Sequence, residues 1–319
     1  MSWTDILGHE AAKRLLQAHL ASGQVASAYL LVGPEGIGKR RLAHEMATAL
    51  NCASPAAPCG ACPVCAQIAK GIHPDVHTLA PAGASEQIRI DPVRHVLGRI
   101  ALRPFSARFQ VVIVDGADRL TEEAANALLK SLEEPPAHSR FLLVASQLFG
   151  CLPTIVSRCQ ILRCRRLTPV QIEELLTAQQ TCEPAMAATI AHRCGGSLAR
   201  AREQIERVQQ QRRWQEQFLR TDAAGWLAAP LPESRQEAAE LLDGMVLWLR
   251  DVACTRYGVG TVAQGVEAAL ERQARQVDPD RCLDTVWELM ALRQSLEQFV
   301  SPRLIGALAR EKWLSLVGK

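Results

Sequence analysis

The stretch Ala28-Tyr29-Leu30-Leu31-Val32, Gly33-Pro34-Glu35-Gly36-Ile37-Gly38-Lys39, Arg40-Arg41-Leu42-Ala43-His44-Glu45-Met46-Ala47-Thr48-Ala49-Leu50 decides the fold class. Its first part is a short continuous apolar run, the mark of a strand buried on both faces. Its last part carries apolar residues at period 3.6, as an amphipathic helix does. Between them lies Gly-x-x-x-x-Gly-Lys, the spacing of a phosphate loop. Backbone N–H groups around Gly33, Gly36 and Gly38 can wrap a phosphate chain, and Lys39 can reach the outer phosphates. The bland alternative is a strand-to-helix turn that binds nothing. Position 40, where a Ser or Thr hydroxyl ligates magnesium in such loops, is Arg40, and a guanidinium offers a metal no lone pair.

Further strand-sized runs lie at Val76–Leu79, Phe109–Val114 and Phe141–Ala145, alternating with helical patterns over Asp91–Ile100 and Glu122–Glu133. This is the order of a parallel sheet covered by helices. The run Val111-Val112-Ile113-Val114-Asp115 has the shape that sets a carboxylate beside a phosphate loop at the carboxyl edge of the sheet. A helix-start acid is the plain alternative for Asp115. The next residue, where hydrolysis needs a glutamate to polarise water, is Gly116.

An N-terminal helix is expected within residues 3–24, stopped by Gly23, so residues 1–167 form one α/β domain. Thr168-Pro169-Val170-Gln171 then offers an N-cap, a proline at the first helical position and a capping-box glutamine. A small helical domain is expected over 168–208 and an all-helical one over 209–319. Two apolar stripes in the latter, Leu241/Leu242/Met245/Leu249/Val252 and Val286/Leu289/Met290/Leu292/Leu296/Phe299, suggest faces that need partners.

Eleven cysteines are an odd number, and four of them, Cys52, Cys59, Cys62 and Cys65, follow C-x6-C-x2-C-x2-C among prolines and a glycine. Four thiolates at this density suit tetrahedral Zn2+, a redox dithiol being the other reading. His73 and His77 are read as non-ligands, since four sulfurs close a tetrahedron. With 36 Lys+Arg against 33 Asp+Glu the formal charge is +3, and aromatic residues are 4%. That balance disfavours a protein that coats nucleic acid or stacks on single strands. No apolar run is long enough to cross a membrane. Asp5 and Glu10 stand where a signal peptide is apolar, so a cytoplasmic chain is expected.

The sequence resembles the clamp-loader subunits of the AAA+ class, in particular the delta-prime branch of the bacterial DNA polymerase III set. The likeness runs through Leu7-Gly8-His9-Glu10, the phosphate loop, the four cysteines, His73-Pro74-Asp75, Ile88-Arg89-Ile90-Asp91, Ala124-Ala125-Asn126-Ala127-Leu128-Leu129-Lys130-Ser131-Leu132-Glu133-Glu134-Pro135-Pro136 and Ser157-Arg158-Cys159. It is weak beyond residue 200. The resemblance implies a RecA-like AAA+ domain, a helical lid, and a C-terminal collar domain that joins a hetero-pentamer with gamma/tau and delta subunits. It implies a part in loading the sliding clamp onto primed DNA. Arg40 and Gly116 depart from the family's gamma/tau motors and imply a subunit that binds ATP at most without hydrolysing it. Arg158 is implied as an arginine finger acting on a neighbour's ATP; otherwise it belongs to a solvated basic run with Arg163, Arg165 and Arg166. Arg200 lies one place later than the lid arginine of the motors and is not assigned a sensing role. An ATP-hydrolysing gamma/tau-like motor and a zinc-dependent DNA-binding protein are the alternatives.

Overall fold

A computed structural model describes the chain except residues 1, 2, 4, 5, 56, 84, 85, 221, 222, 259–269, 272, 273, 276, 299, 318 and 319; for 211–220, 223, 224 and 317 only the backbone is described. Phe299 and Asp5, named above, lie outside the described residues. The chain divides into two compact units, Met1–Ile205 and Glu206–Lys319.

The first unit is built on strands β1 (Ala28–Val32), β2 (Val76–Leu79), β3 (Gln110–Asp115), β4 (Ser139–Ala145) and β5 (Gln160–Arg163), in sheet order β2-β3-β4-β1-β5. Every pairing is parallel, with Leu30 opposite Leu143 and Ile161 and Val112 opposite Phe141. Helices α1 (Glu10–Ser22) and α2 (Lys39–Asn51) supply Leu16, Leu42 and Met46 to the sheet face carrying Tyr29, Leu31, Val111 and Ile113. A short helix α3 (Pro63–Ala69) lies in the excursion between α2 and β2. Helices α4 (Ile90–Ile100) and α5 (Glu122–Glu133) supply Val93, Val96, Leu128 and Leu132 to the face carrying Leu30, Val112, Val114 and Phe141. Both faces are covered, so the strands read as unbroken apolar runs and not as alternating ones. Helix α6 (Pro153–Val156) precedes β5.

Four of the five strands match the apolar runs of the sequence. β5 has no counterpart among those runs: its four residues alternate, with Ile161 exposed and Leu162 buried, and it is held at the sheet edge by backbone pairing with β1. α1 ends where expected, with Gly23 in the left-handed region and its N–H donating to the Leu20 carbonyl. Helices α7 (Pro169–Ala178), α8 (Pro184–Arg193) and the start of α9 (Leu198–Arg220) enclose a separate small core of Leu167, Ile172, Leu176, Ile190 and Ile205. The capping box at Thr168 and Gln171 forms, with both reciprocal hydrogen bonds in place.

The second unit holds α10 (Ala223–Ala228), α11 (Arg235–Arg256), α12 (Pro279–Ser295) and α13 (Pro302–Val317). The stripe Leu242, Met245, Leu249 and Val252 is buried in this unit's own core with Trp248, Leu289, Leu296, Ile305 and Trp313, and Leu241 and Val286 pack against it. The expectation that these residues face a partner is therefore corrected. The exposed apolar stripe is Leu283, Trp287 and Met290 on α12, of which Trp287 is 70% exposed. Among the described residues no helix is long and apolar enough to cross a membrane.

Candidate functional site

The sheet brings the ends of β1, β3 and β4 to one edge, and a cavity of about 760 Å3 lies there. Lys39 is the first residue of α2, and its ammonium is buried beneath the loop, donating to the carbonyls of Gly33 at 2.5 Å and Pro34 at 2.6 Å. Burial pushes its pKa below the ordinary lysine value, against the opposing influence of Cys164, Asp118 and Glu35. Gly36, Gly38, Lys39 and Asp115 line the cavity, whereas Gly33, which begins the loop and accepts from Lys39, is not among the lining residues. The structure thus gathers the phosphate-loop residues and the β3 aspartate around one space, as their spacing predicts.

The two positions that depart from a hydrolytic site have structural consequences. Arg40 Nη1 lies 3.4 Å from Asp115 Oδ2, so the guanidinium stands at the carboxylate that would otherwise face a divalent cation. Gly116 has φ of +107°, a conformation that side-chain-bearing residues rarely adopt, and leads into the 3-10 turn Ala117–Arg119. Asp118, two residues on, accepts the Ser146 backbone N–H at 2.8 Å through Oδ2 while its other oxygen, Oδ1, is buried without a hydrogen-bond partner among the described residues.

Other groups at this site are not legible in the sequence. Arg119 donates to Glu35 at 2.6 Å and to Glu86 at 3.0 Å, tying the phosphate loop to the segment after β3. The Arg119 guanidinium beside Glu35, helped by the Ser146 hydroxyl, holds that carboxyl below its usual range. His9 Nε2 meets the Ile37 carbonyl at 2.7 Å, and burial lowers its pKa, so a neutral ring donates to the loop. From α9, Arg202 lines the cavity and donates to Gln179 at 2.9 Å, whereas Arg200 is exposed and is not among the lining residues. Arg200 and Arg202 are two residues apart, so a helix places them about 200° apart around its axis.

The four cysteines come together. Their sulfurs lie within 4.8 Å of one another, and those of Cys59 and Cys65 are 3.9 Å apart. Zn–S bonds of about 2.3 Å in a tetrahedron put sulfurs about 3.8 Å apart, so the donor set fits a zinc ion. The backbone supports it: Cys59 N–H points to Cys52 Sγ, Cys62 N–H to Cys59 Sγ, and Cys65 N–H to Sγ of Cys62, which is also the N-cap of α3. Backbone N–H groups of Ala61 and Cys62 draw the exposed Cys59 thiol down to about 6, while burial pushes Cys65 up to about 12. His73 stands apart from this group, its Nδ1 accepting the Asp75 N–H. The other seven cysteines are free thiols, with Cys151, Cys164, Cys194 and Cys282 buried.

Arg158 follows α6 and does not line this cavity. Its Nη2 pairs with Glu133 at the end of α5 at 2.6 Å, and its Nη1 donates to the Thr154 carbonyl at 3.0 Å. The guanidinium is fixed in direction yet its residue is exposed.

A parallel sheet with a glycine loop after β1, a buried loop lysine and an aspartate ending β3 defines a phosphate-loop α/β protein, here with both hydrolytic positions replaced. The family model described as "DNA polymerase III, delta subunit" matches residues 8–168, and the chain belongs to that family. It is 42% identical over 159 residues to DNA polymerase III subunit delta' of Pseudomonas aeruginosa, covering 49% of this chain and 46% of that one. It is 33% identical over 204 residues to subunit tau of Salmonella typhimurium, covering 62% of this chain and 31% of that one. The chain thus spans less than half the length of these two relatives. The resemblance drawn from the sequence motifs and the matched family agree on the DNA polymerase III subunit set, and the relative at 42% identity is a delta' subunit.

Proposed function

We propose that this chain is a non-motor, delta-prime-type subunit of a DNA polymerase III clamp loader. It would sit with gamma/tau and delta subunits in a hetero-pentamer in the cytoplasm and help place the sliding clamp on primed DNA. One observation carries the non-motor assignment. In a family member with an otherwise complete loop, Arg40 pairs with Asp115 and Gly116 occupies the position of the water-polarising glutamate. ATP would be held by Gly33, Gly36, Gly38, Lys39 and Asp115 without turnover. Zn2+ held by Cys52, Cys59, Cys62 and Cys65 would play a structural part, fixing the excursion that ends in α3.

The domain reading is an AAA+ domain over 1–167, a lid over 168–208 and a collar over 209–319. Separate cores under α7–α9 and among α10–α13 support it. The exposed stripe Leu283, Trp287 and Met290, rather than the buried α11 stripe, is the face we assign to assembly. Arg158, exposed and aimed by Glu133, is assigned as a finger for a neighbouring ATP site.

The test is reconstitution. The full chain should co-purify with gamma/tau and delta subunits and show no ATP turnover alone. Trp287→Glu should weaken co-purification at least tenfold while leaving circular dichroism unchanged, because a charge would be buried at the interface. Steady ATP hydrolysis by the isolated chain would favour the motor reading. Normal assembly of Trp287→Glu would remove α12 from the interface.

A further inference from the structure

In a phosphate loop the divalent cation is held between the first hydroxyl of the helix and the carboxylate ending the neighbouring strand, and it neutralises the polyphosphate. Here the residue at the hydroxyl position is Arg40, and its guanidinium lies 3.4 Å from Asp115, on the same wall of the cavity as Lys39. A cation beside Asp115 would have to displace this guanidinium or sit against its positive charge. The cavity wall carries six cationic side chains, Lys39, Arg40, Arg41, Lys70, Arg119 and Arg202, against three acids, Glu35, Asp115 and Asp118. This is more positive charge than a metal-bound polyphosphate needs and suits one that arrives bare.

We infer that this site takes a nucleoside triphosphate in its magnesium-free form, with the Arg40 guanidinium standing where the cation stands in a hydrolytic site. The inference rests on the reading of this cavity as a nucleotide site and adds the form of the ligand. Arg40 has the chemistry for it: a planar fork of donors that can bridge a phosphate oxygen and the Asp115 carboxylate at once. Lys39 turns its ammonium from the Gly33 and Pro34 carbonyls to the phosphates, so burial of that charge is relieved by a full anion in place of two carbonyl dipoles. No bond in the nucleotide is broken. The occupant is a static ligand beneath the lid, since Leu198, Ala199 and Arg202 of α9 close the same cavity.

The experiment is calorimetric titration of ATP into the full chain, once in buffer freed of magnesium by chelating resin and once with magnesium in excess. EDTA is avoided because it would also strip a zinc ion from the four cysteines. The expected result is binding in the magnesium-free buffer at least as tight as with magnesium. Arg40→Thr should lose on the order of ten- to a hundredfold of that magnesium-free affinity, the range of one to two charge-assisted hydrogen bonds, and should bind better when magnesium is added. Lys39→Ala should weaken binding in both buffers. If the chain binds ATP only with magnesium, or if Arg40→Thr binds unchanged without it, the inference is overturned and the nucleotide-site reading survives. If a folded chain binds ATP in neither buffer, both are overturned.

Discussion

The backbone N–H of Ala199, in the first turn of α9, donates to the carbonyl of Gly36 at 3.2 Å, so the start of α9 is docked directly on the phosphate loop. Gly36 has φ of +72°, and a Cβ built there would overlap both the Ser197 hydroxyl and the Ala199 side chain. The residue is glycine for two reasons at once, conformation and closeness. Gly36→Ala should cost about 1–2 kcal/mol from the left-handed conformation alone and should push α9 off the loop. Urea denaturation should show the loss, and amide exchange should rise in residues 197–201 with the sheet still protected. Unchanged protection across that segment would mean the start of α9 is held by other contacts.

Gly116 bears on whether hydrolysis can be restored. Arg40→Thr with Gly116→Glu supplies the missing hydroxyl and the missing carboxylate, yet position 116 has φ of +107° and a Cβ there would lie 3.3 Å from Pro81 Cγ. A glutamate forced into that backbone carries about 1–3 kcal/mol of strain or moves the turn that holds Asp118. The double variant should therefore stay at background ATP turnover and unfold at lower denaturant than Arg40→Thr alone. Turnover matching that of a motor subunit would show that the turn re-forms around the new side chain.

How much of this is legible in the sequence depends on the range over which each feature is encoded. The loop, the four-cysteine module and the Thr168 capping box are written in consecutive or nearly consecutive residues, and all three form. The Arg119–Glu35 tie joins residues 84 positions apart, and neither residue type announces its partner. β5 escapes the pattern because four residues at a sheet edge need only backbone pairing and half of an apolar run. The α11 stripe reads as partner-facing because an amphipathic pattern reports that a face is buried without saying by what, and here its own unit covers it.

Metal analysis of the purified chain should give one zinc per molecule, released by acid because protons compete for thiolates. Cys62→Ser is the informative variant. Serine remains a good N-cap for α3, so the helix start is kept while one metal ligand is lost. Zinc content should fall well below one, and limited proteolysis should open residues 52–70 while the sheet stays intact. Full zinc retention in this variant would show that three sulfurs and water suffice.

Burial lowers the pKa of His9, His44, His73 and His77 below the ordinary histidine value. The unfolded chain then takes up these protons before the folded one does. Their contribution to stability is complete above about pH 6.5 and is lost progressively as pH falls from there toward the lowered folded values. Urea midpoints should drop between pH 7.5 and pH 5.5, a range above the titration of ordinary carboxylates. A flat profile over that range would mean that the four rings titrate alike in the folded and unfolded chains, and a rise in stability toward pH 5.5 would mean that the fold favours their protonated forms.

Arg158 is bound within its own domain, to Glu133 and to the Thr154 carbonyl, and both contacts leave part of the guanidinium free to face outward. Phosphoryl transfer spreads charge over the transferring group, and a fork of donors from a neighbouring subunit can neutralise it. Arg158→Ala should leave folding and assembly intact, since an exposed ion pair contributes at most about 1 kcal/mol. It should lower ATP turnover of the reconstituted complex, with clamp and primed DNA present, by about tenfold or more. Arg158→Lys keeps the charge but loses the fork and should rescue little. Glu133→Gln separates aiming from chemistry. It removes the charge that fixes the guanidinium, and it should reduce turnover less than Arg158→Ala does, because the arginine remains. If Arg158→Ala complexes turn over ATP at the unaltered rate, the side chain is a surface partner of Glu133 and takes no part in a neighbour's hydrolysis.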